Sequence, residues 1–276
     1  MEHVAWSDHP RLRRPVLIAA FEGWNDAGDA ATYAARYLAE QWGARRFAVL
    51  DPEEFFDFSS TRPTVSLDDG RHRQIEWPST ELAAAAVPGT AFDAVILIGS
   101  EPQLRWRTFA NEIVEVAREL DVGMVVTLGA LLAEVPHTRP VSVIGTADDD
   151  ELIDRLDLQR STYQGPTGIV GVLSDAMRKA GLSSASLWAA VPTYVPGAPS
   201  PKAALALVAR VAALLSISVP TTELEIAAAS YERQLDELVA DDDDTASYVA
   251  RLEASIDDPA DELDLIDEVE RYLRDQ

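Results

Sequence analysis

The 276-residue chain has no cysteine. That excludes disulfides, thiolate-held zinc, iron–sulfur clusters and a cysteine nucleophile. Lysine is nearly absent. Of 23 basic residues only Lys179 and Lys202 are lysines, and neither sits in a glycine-rich phosphate loop. The four histidines, His3, His9, His72 and His137, lack the paired spacing of a metal motif, so no metal and no cofactor are expected. Ser100 is not framed by the Gly-x-Ser-x-Gly of a nucleophile elbow. Long apolar runs are missing too. The run over 16–21 stops at Glu22, far short of the ~20 residues a spanning helix needs. Arg11, Arg13 and Arg14 imitate a secretory start, but the run is too short and no small-residue cleavage pattern follows. With 47 acidic residues the formal net charge is −24. Nucleic acid and anionic membrane both call for a cationic surface, so neither is an expected partner. These absences point to a soluble, cytoplasmic, acidic protein.

Charge divides what is present. Residues 220–276 carry 19 acidic and four basic side chains, so the tail holds most of the net charge. The break falls at Val219-Pro220-Thr221-Thr222, where proline ends one element and a threonine can cap the next. Two units are therefore expected: an α/β sandwich over 1–219 and an acidic helical extension over 220–276. In the first unit, apolar strand-like runs alternate with helical periodicity. Strands are expected over 15–21, 46–51, 93–99, 122–128, 141–146 and 186–191. Helices are expected over 26–42, 105–120, 165–180 and 201–216. Asp69-Gly70 marks a hairpin between 64–68 and 71–77. Continuous apolar strands between helices mean a layered α/β fold with a mainly parallel sheet. The extension reads as three short amphipathic helices over 222–239, 245–256 and 260–274, with stripes too narrow to fold alone.

Three segments carry candidate chemistry. Gly23-Trp24-Asn25-Asp26-Ala27-Gly28 lies where the first long strand turns into a helix, the edge at which open α/β sheets bind ligands. Asn25 and Asp26 can equally cap that helix. Gly165-Pro166-Thr167-Gly168 offers small residues and free N–H groups before another helix, either as an anion loop or as a cap. Gly99-Ser100-Glu101-Pro102, followed by Arg105, Trp106 and Arg107, puts an acid, guanidiniums and an indole at the end of the most apolar strand. If these loops form one pocket, Glu22, Asn25, Asp26 and Glu101 would supply acids or base-binding groups. Trp24 or Trp106 would stack, Arg105 or Arg107 would clamp an anion, and Thr167 would line the second loop. No catalytic residue is assigned. Parallel strands place successive strand-to-helix turns on one edge, so Asn25 and Glu101 are expected within roughly 12 Å of each other.

Together Phe21-Glu22-Gly23-Trp24-Asn25-Asp26-Ala27-Gly28, Gly129-Ala130-Leu131-Leu132-Ala133-Glu134-Val135-Pro136-His137-Thr138-Arg139-Pro140, Gly165-Pro166-Thr167-Gly168-Ile169 and Pro192-Thr193-Tyr194-Val195 define a pattern. It resembles the proteasome assembly chaperone family, second-chaperone type, in its actinobacterial form. The resemblance implies a three-layer α/β sandwich like that of nucleoside phosphorylases and hydrolases, plus a helical C-terminal extension. It also implies a homo-oligomer, with a trimer favoured by the phosphorylase-like fold, and proteasome-related proteins as partners. Some relatives dock on the proteasome ring through a hydrophobic–Tyr–x tail. Tyr272 departs from that pattern, so docking by such a tail is not expected. Two functions stay open: a non-catalytic, oligomeric assembly-chaperone-like protein, or a nucleoside- or nucleobase-binding or hydrolysing enzyme.

Overall fold

The structure is a computed structural model that describes residues 1–256 apart from Arg71 and Pro196. The expected helix over 260–274 and Tyr272 lie outside the described residues. Eight strands form one sheet: β1 (Val4–Trp6), β2 (Val16–Glu22), β3 (Arg45–Leu50), β6 (Thr80–Ala86), β7 (Asp93–Ser100), β8 (Met124–Ala133), β9 (Val143–Ala147) and β10 (Ser184–Pro192). The spatial order is β1-β3-β6-β7-β2-β8-β10-β9. The four central strands, β7, β2, β8 and β10, run parallel, and the outer strands are antiparallel. Between β3 and β6, β4 (Thr64–Asp68) and β5 (His72–Glu76) pair as a separate two-stranded hairpin.

Helices cover both faces. α1 (Ala30–Gln41) and α5 (Pro201–Leu215) pack on one face, together with Leu152 of the short α3 (Asp150–Leu156) at its β9 edge. α2 (Trp106–Glu119) and α4 (Ile169–Lys179) pack on the other. This sandwiching explains why β2 is apolar at every position but its last. Val16 to Phe21 are all buried, alternately toward the two helix layers. Phe21, Phe55 and Phe109 meet edge-on beneath α2.

Two strands escape the sequence reading. β1 is three residues long, and β6 reads Thr-Glu-Leu-Ala-Ala-Ala-Ala, whose alanines favour no strand. Pairing of β6 along the whole of β7 overrides that local preference. β8 extends five residues past the expected end at 128, so Gly129 to Ala133 lie in the sheet.

α6 (Thr222–Ala240) lies against α5 and buries Leu224, Ala228, Tyr231, Leu235 and Val239, one stripe at helical spacing. α7 (Asp243–Ile256) follows and buries Val249 and Leu252.

Candidate functional site

Register decides which loops meet. Phe21 stands opposite Gly99 and Glu22 opposite Ser100 across the parallel β2–β7 pair. The chain leaving β2 and the chain leaving β7 therefore emerge side by side. Asn25 is fully buried there, and its Nδ2 donates to Glu101 Oε1 at 2.9 Å. The same carboxylate oxygen accepts from the Ile169 amide at 2.8 Å. Ile169 opens α4, whose N-cap, Gly168, has no side chain to do that work. Glu101 thus caps α4 from another loop, where the helix dipole favours its charge. Three segments singled out in the sequence converge on this one carboxylate.

Gly168 is there because nothing larger fits. A Cβ at 168 would come within 2.4 Å of Asn25 Oδ1 and 2.8 Å of Glu101 Oε1. Asn25 Oδ1 itself has no hydrogen-bond partner. The Asn25 carbonyl accepts from Ala130 N at 2.8 Å, which ties the loop to β8.

Asp26 serves the neighbouring helix. Its carboxylate accepts from Ala31 N at 2.6 Å and from the Thr32 amide and hydroxyl. Burial pushes this carboxyl up to about 6, against the opposing pull of the Thr32 hydroxyl and the Ala31 and Thr32 amides.

A recess of about 220 Å³ opens beside Asn25 on the α4 face of the sheet. Trp24, Asn25, Thr167 and Gly168 line one end, and Ser174 and Ser186 the other. Its floor is Leu131, Ile144, Val170 and Trp188, and the chain between α3 and α4 forms the far wall. Glu22 and Arg105 stand apart from it. Glu22 pairs with Arg36 and accepts from Ser100 Oγ at 2.9 Å, on the side of a different recess. Arg105 is half exposed and pairs with Glu54. Trp106 packs with the α2 layer and donates to the Pro102 carbonyl, so it does not stack in the recess.

Sequence reasoning missed Trp188, Ser174, Ser186 and the 159–163 wall. A tryptophan within an apolar strand reads as core, and the wall carries no motif. One signal was available. Trp188 stands opposite Gly129 across β8–β10, and a Cβ at 129 would come within 2.5 Å of the indole. Glycine at that position is what lets the ring lie across β8. Among the described residues, no three His, Asp or Glu side chains gather as a metal site, and no helix is long and apolar enough to cross a membrane.

Known proteins share this fold. A sequence model of the PAC2 family matches residues 20–239. A PAC2 family protein from Streptomyces avermitilis is 48% identical, with 85% of this chain and 99% of that one covered and a TM-score of 0.80. A proteasome-assembly chaperone homologue from Mycobacterium tuberculosis is 44% identical over the same shares, with a TM-score of 0.78. A second M. tuberculosis protein, of unknown function, is 30% identical, with 99% of this chain and 96% of that one covered and a TM-score of 0.86. No curated protein matches in sequence.

Proposed function

The chain belongs to the PAC2 family, and from that membership we propose that it works by protein contact, as an oligomeric assembly-chaperone-like protein without catalytic activity. The observation that carries this reading is the β4–β5 hairpin. Val65 pairs with Ile75, and the period of two puts Leu67 on the same face. Val65, Leu67, Ile75 and the adjoining Trp77 are 48–60% exposed. An isolated two-stranded hairpin is marginal in water and gains stability when its apolar face is covered. Residues 62–77 balance three arginines against three acids in a chain of net charge −24. A second copy therefore meets little repulsion there, and we assign the face to self-association. A homotrimer is favoured by the resemblance to the phosphorylase-like fold, with proteasome-related proteins as clients. The latter rests on the M. tuberculosis relative, a proteasome-assembly chaperone homologue. The acids near the recess support a non-catalytic role, since Asp26 and Glu101 are engaged at helix starts.

Light scattering on a sizing column tests self-association. The wild type is expected at three times the 30.1 kDa chain mass, and the Val65→Asp, Ile75→Asp double variant at the single-chain mass. A wild type that runs as a single chain at micromolar concentration overturns it. Binding of purified proteasome core subunits to the immobilised wild type tests the client.

A further inference from the structure

We infer that the recess beside Asn25 is a binding site for a small, uncharged, planar molecule that carries an amide-type N–H. This goes beyond the chaperone reading and stands without it.

Size limits the class first. At about 220 Å³ the recess falls below the ~300–1,000 Å³ of sites that take drug-sized ligands. One or two fused rings fit within it. The floor of Leu131, Ile144, Val170 and the Trp188 indole is apolar, which suits a flat ring rather than a sugar. Trp24, 37% exposed, stands at the rim where it can flank such a ring.

Charge limits it next. Arg160 is held by Asp150 at 2.6 Å, and Asp148 by Arg178 at 3.5 Å. These are the only charged side chains lining the recess among the described residues, and each already has its counter-ion. A carboxylate or phosphate ligand would find no cation set aside for it, and desolvating it there would be unfavourable.

The polar contact comes from Asn25. Glu101 can only accept from Asn25, so it holds the amide with Nδ2 toward itself. The Oδ1 left over is buried and unpartnered. Gly168 packs over that oxygen, which is closed off from the recess. Buried acceptors are seldom left unmet, and an N–H on a planar ligand that shifts the Gly168 backbone aside would satisfy this one. At the opposite end the Ser174 and Ser186 hydroxyls lie 3.4 Å apart, and Ser186 also bonds Thr127 at 2.7 Å. These hydroxyls can turn to either donate or accept. A tether to Glu101, a glycine beside it and a second glycine under Trp188 make this a built cavity rather than a packing fault.

Benzamide is a suitable probe, with benzoate as its charged counterpart. Calorimetric titration and thermal melting of the full chain read binding. Benzamide is expected to bind and to raise the melting temperature, because it binds only the folded state. Benzoate is expected to bind at least about tenfold more weakly. Asn25→Ala should weaken benzamide about tenfold, and Ser174→Leu, which fills the far end, should abolish binding. If Ser174→Leu fails to fold, Asn25→Ala decides. The inference is overturned if benzamide gives neither heat nor a melting shift at millimolar concentration. It is also overturned if benzoate binds equally well, or if the folded variants bind benzamide as the wild type does.

Discussion

His137 joins the sandwich to α6 through Asp236. Tyr194 Oη accepts from the His137 backbone N–H at 2.7 Å, so its own hydrogen is free to go to His137 Nδ1, also at 2.7 Å. That leaves Nε2 as the protonated nitrogen, donating to Asp236 Oδ1 on α6 at 3.1 Å. Burial, the main cause, pushes the Tyr194 phenol up to about 12, so it remains a hydroxyl at any ordinary pH. The same loop is held a second time. Lys202 donates to the His137 carbonyl at 2.5 Å and the Arg139 carbonyl at 2.8 Å, and pairs with Glu232 on α6.

Lys202→Met should therefore loosen α6 more than a surface substitution would. The lysine is only 15% exposed, and its loss strands two carbonyls and one carboxylate. A loss of about 2 kcal/mol is expected in urea denaturation. Hydrogen exchange should speed up along α6 before it does so in β2 or β7.

Glu101 gives a sharper contrast between two substitutions. In Glu101→Gln the amide oxygen can still accept from Asn25 and Ile169, and only the charge at the α4 N-terminus is lost. The expected cost is about 1 kcal/mol or less. Glu101→Ala leaves the buried Asn25 Nδ2 and the first N–H of α4 without partners, and about 2–3 kcal/mol is expected. Equal costs for the two variants would mean that Glu101 works by packing and not as a cap.

The meeting of Asn25 and Glu101 was legible as an edge but not as a contact. Apolar runs ending in Gly23 and Gly99 place both loops at the same ends of parallel strands. Only the strand order makes β2 and β7 neighbours, and strand order is a long-range choice that no local pattern records. Glu22 and Arg105 show the limit from the other side. They flank the right segments, yet alternation along β2 sends Glu22 toward Arg36, and Glu54 draws Arg105 away. The hairpin was legible because Asp69-Gly70 is a local signal. β6 was not, because four alanines take whatever structure their neighbours impose.

Asp26 makes a pH prediction. Its carboxyl titrates near 6 in the folded chain, against an ordinary value of 3.8. Between those values the native state holds a proton that the unfolded state has released, so this group's contribution falls as pH rises from about 4 to about 6. The two-unit shift corresponds to about 3 kcal/mol. Asp26→Asn removes the titration while keeping one acceptor for Ala31 N. The stability of the variant relative to wild type should therefore rise across that window and then level off above pH 7. A constant difference across pH 4–7 in urea denaturation would show that Asp26 is not the titrating group.

Cutting the chain after Val219 separates what the two parts can do alone. The sandwich keeps both helix layers, so it should still fold. It loses the cover that Leu224, Ala228, Tyr231 and Leu235 of α6 provide, along with the Tyr37 hydroxyl's bond to the Pro220 carbonyl at 2.8 Å. Removing four largely buried side chains, each worth about 1.5–3 kcal/mol or less for alanine, uncovers part of α5 and Val195. Residues 1–219 should consequently melt at a lower temperature than the full chain and associate as concentration rises. The complementary peptide, 220–276, has 19 acids against four bases. Its helices gain their stability from the sandwich they cover, and repulsion among the acids opposes their collapse on one another. Far-ultraviolet circular dichroism of that peptide as a monomer should show little helix and no cooperative melt. Mixing it with 1–219 should restore helix only if the His137 and Lys202 contacts re-form, so the Lys202→Met version of 1–219 should restore less. A peptide that melts cooperatively alone would mean that the extension carries its own core and merely rests on the sandwich.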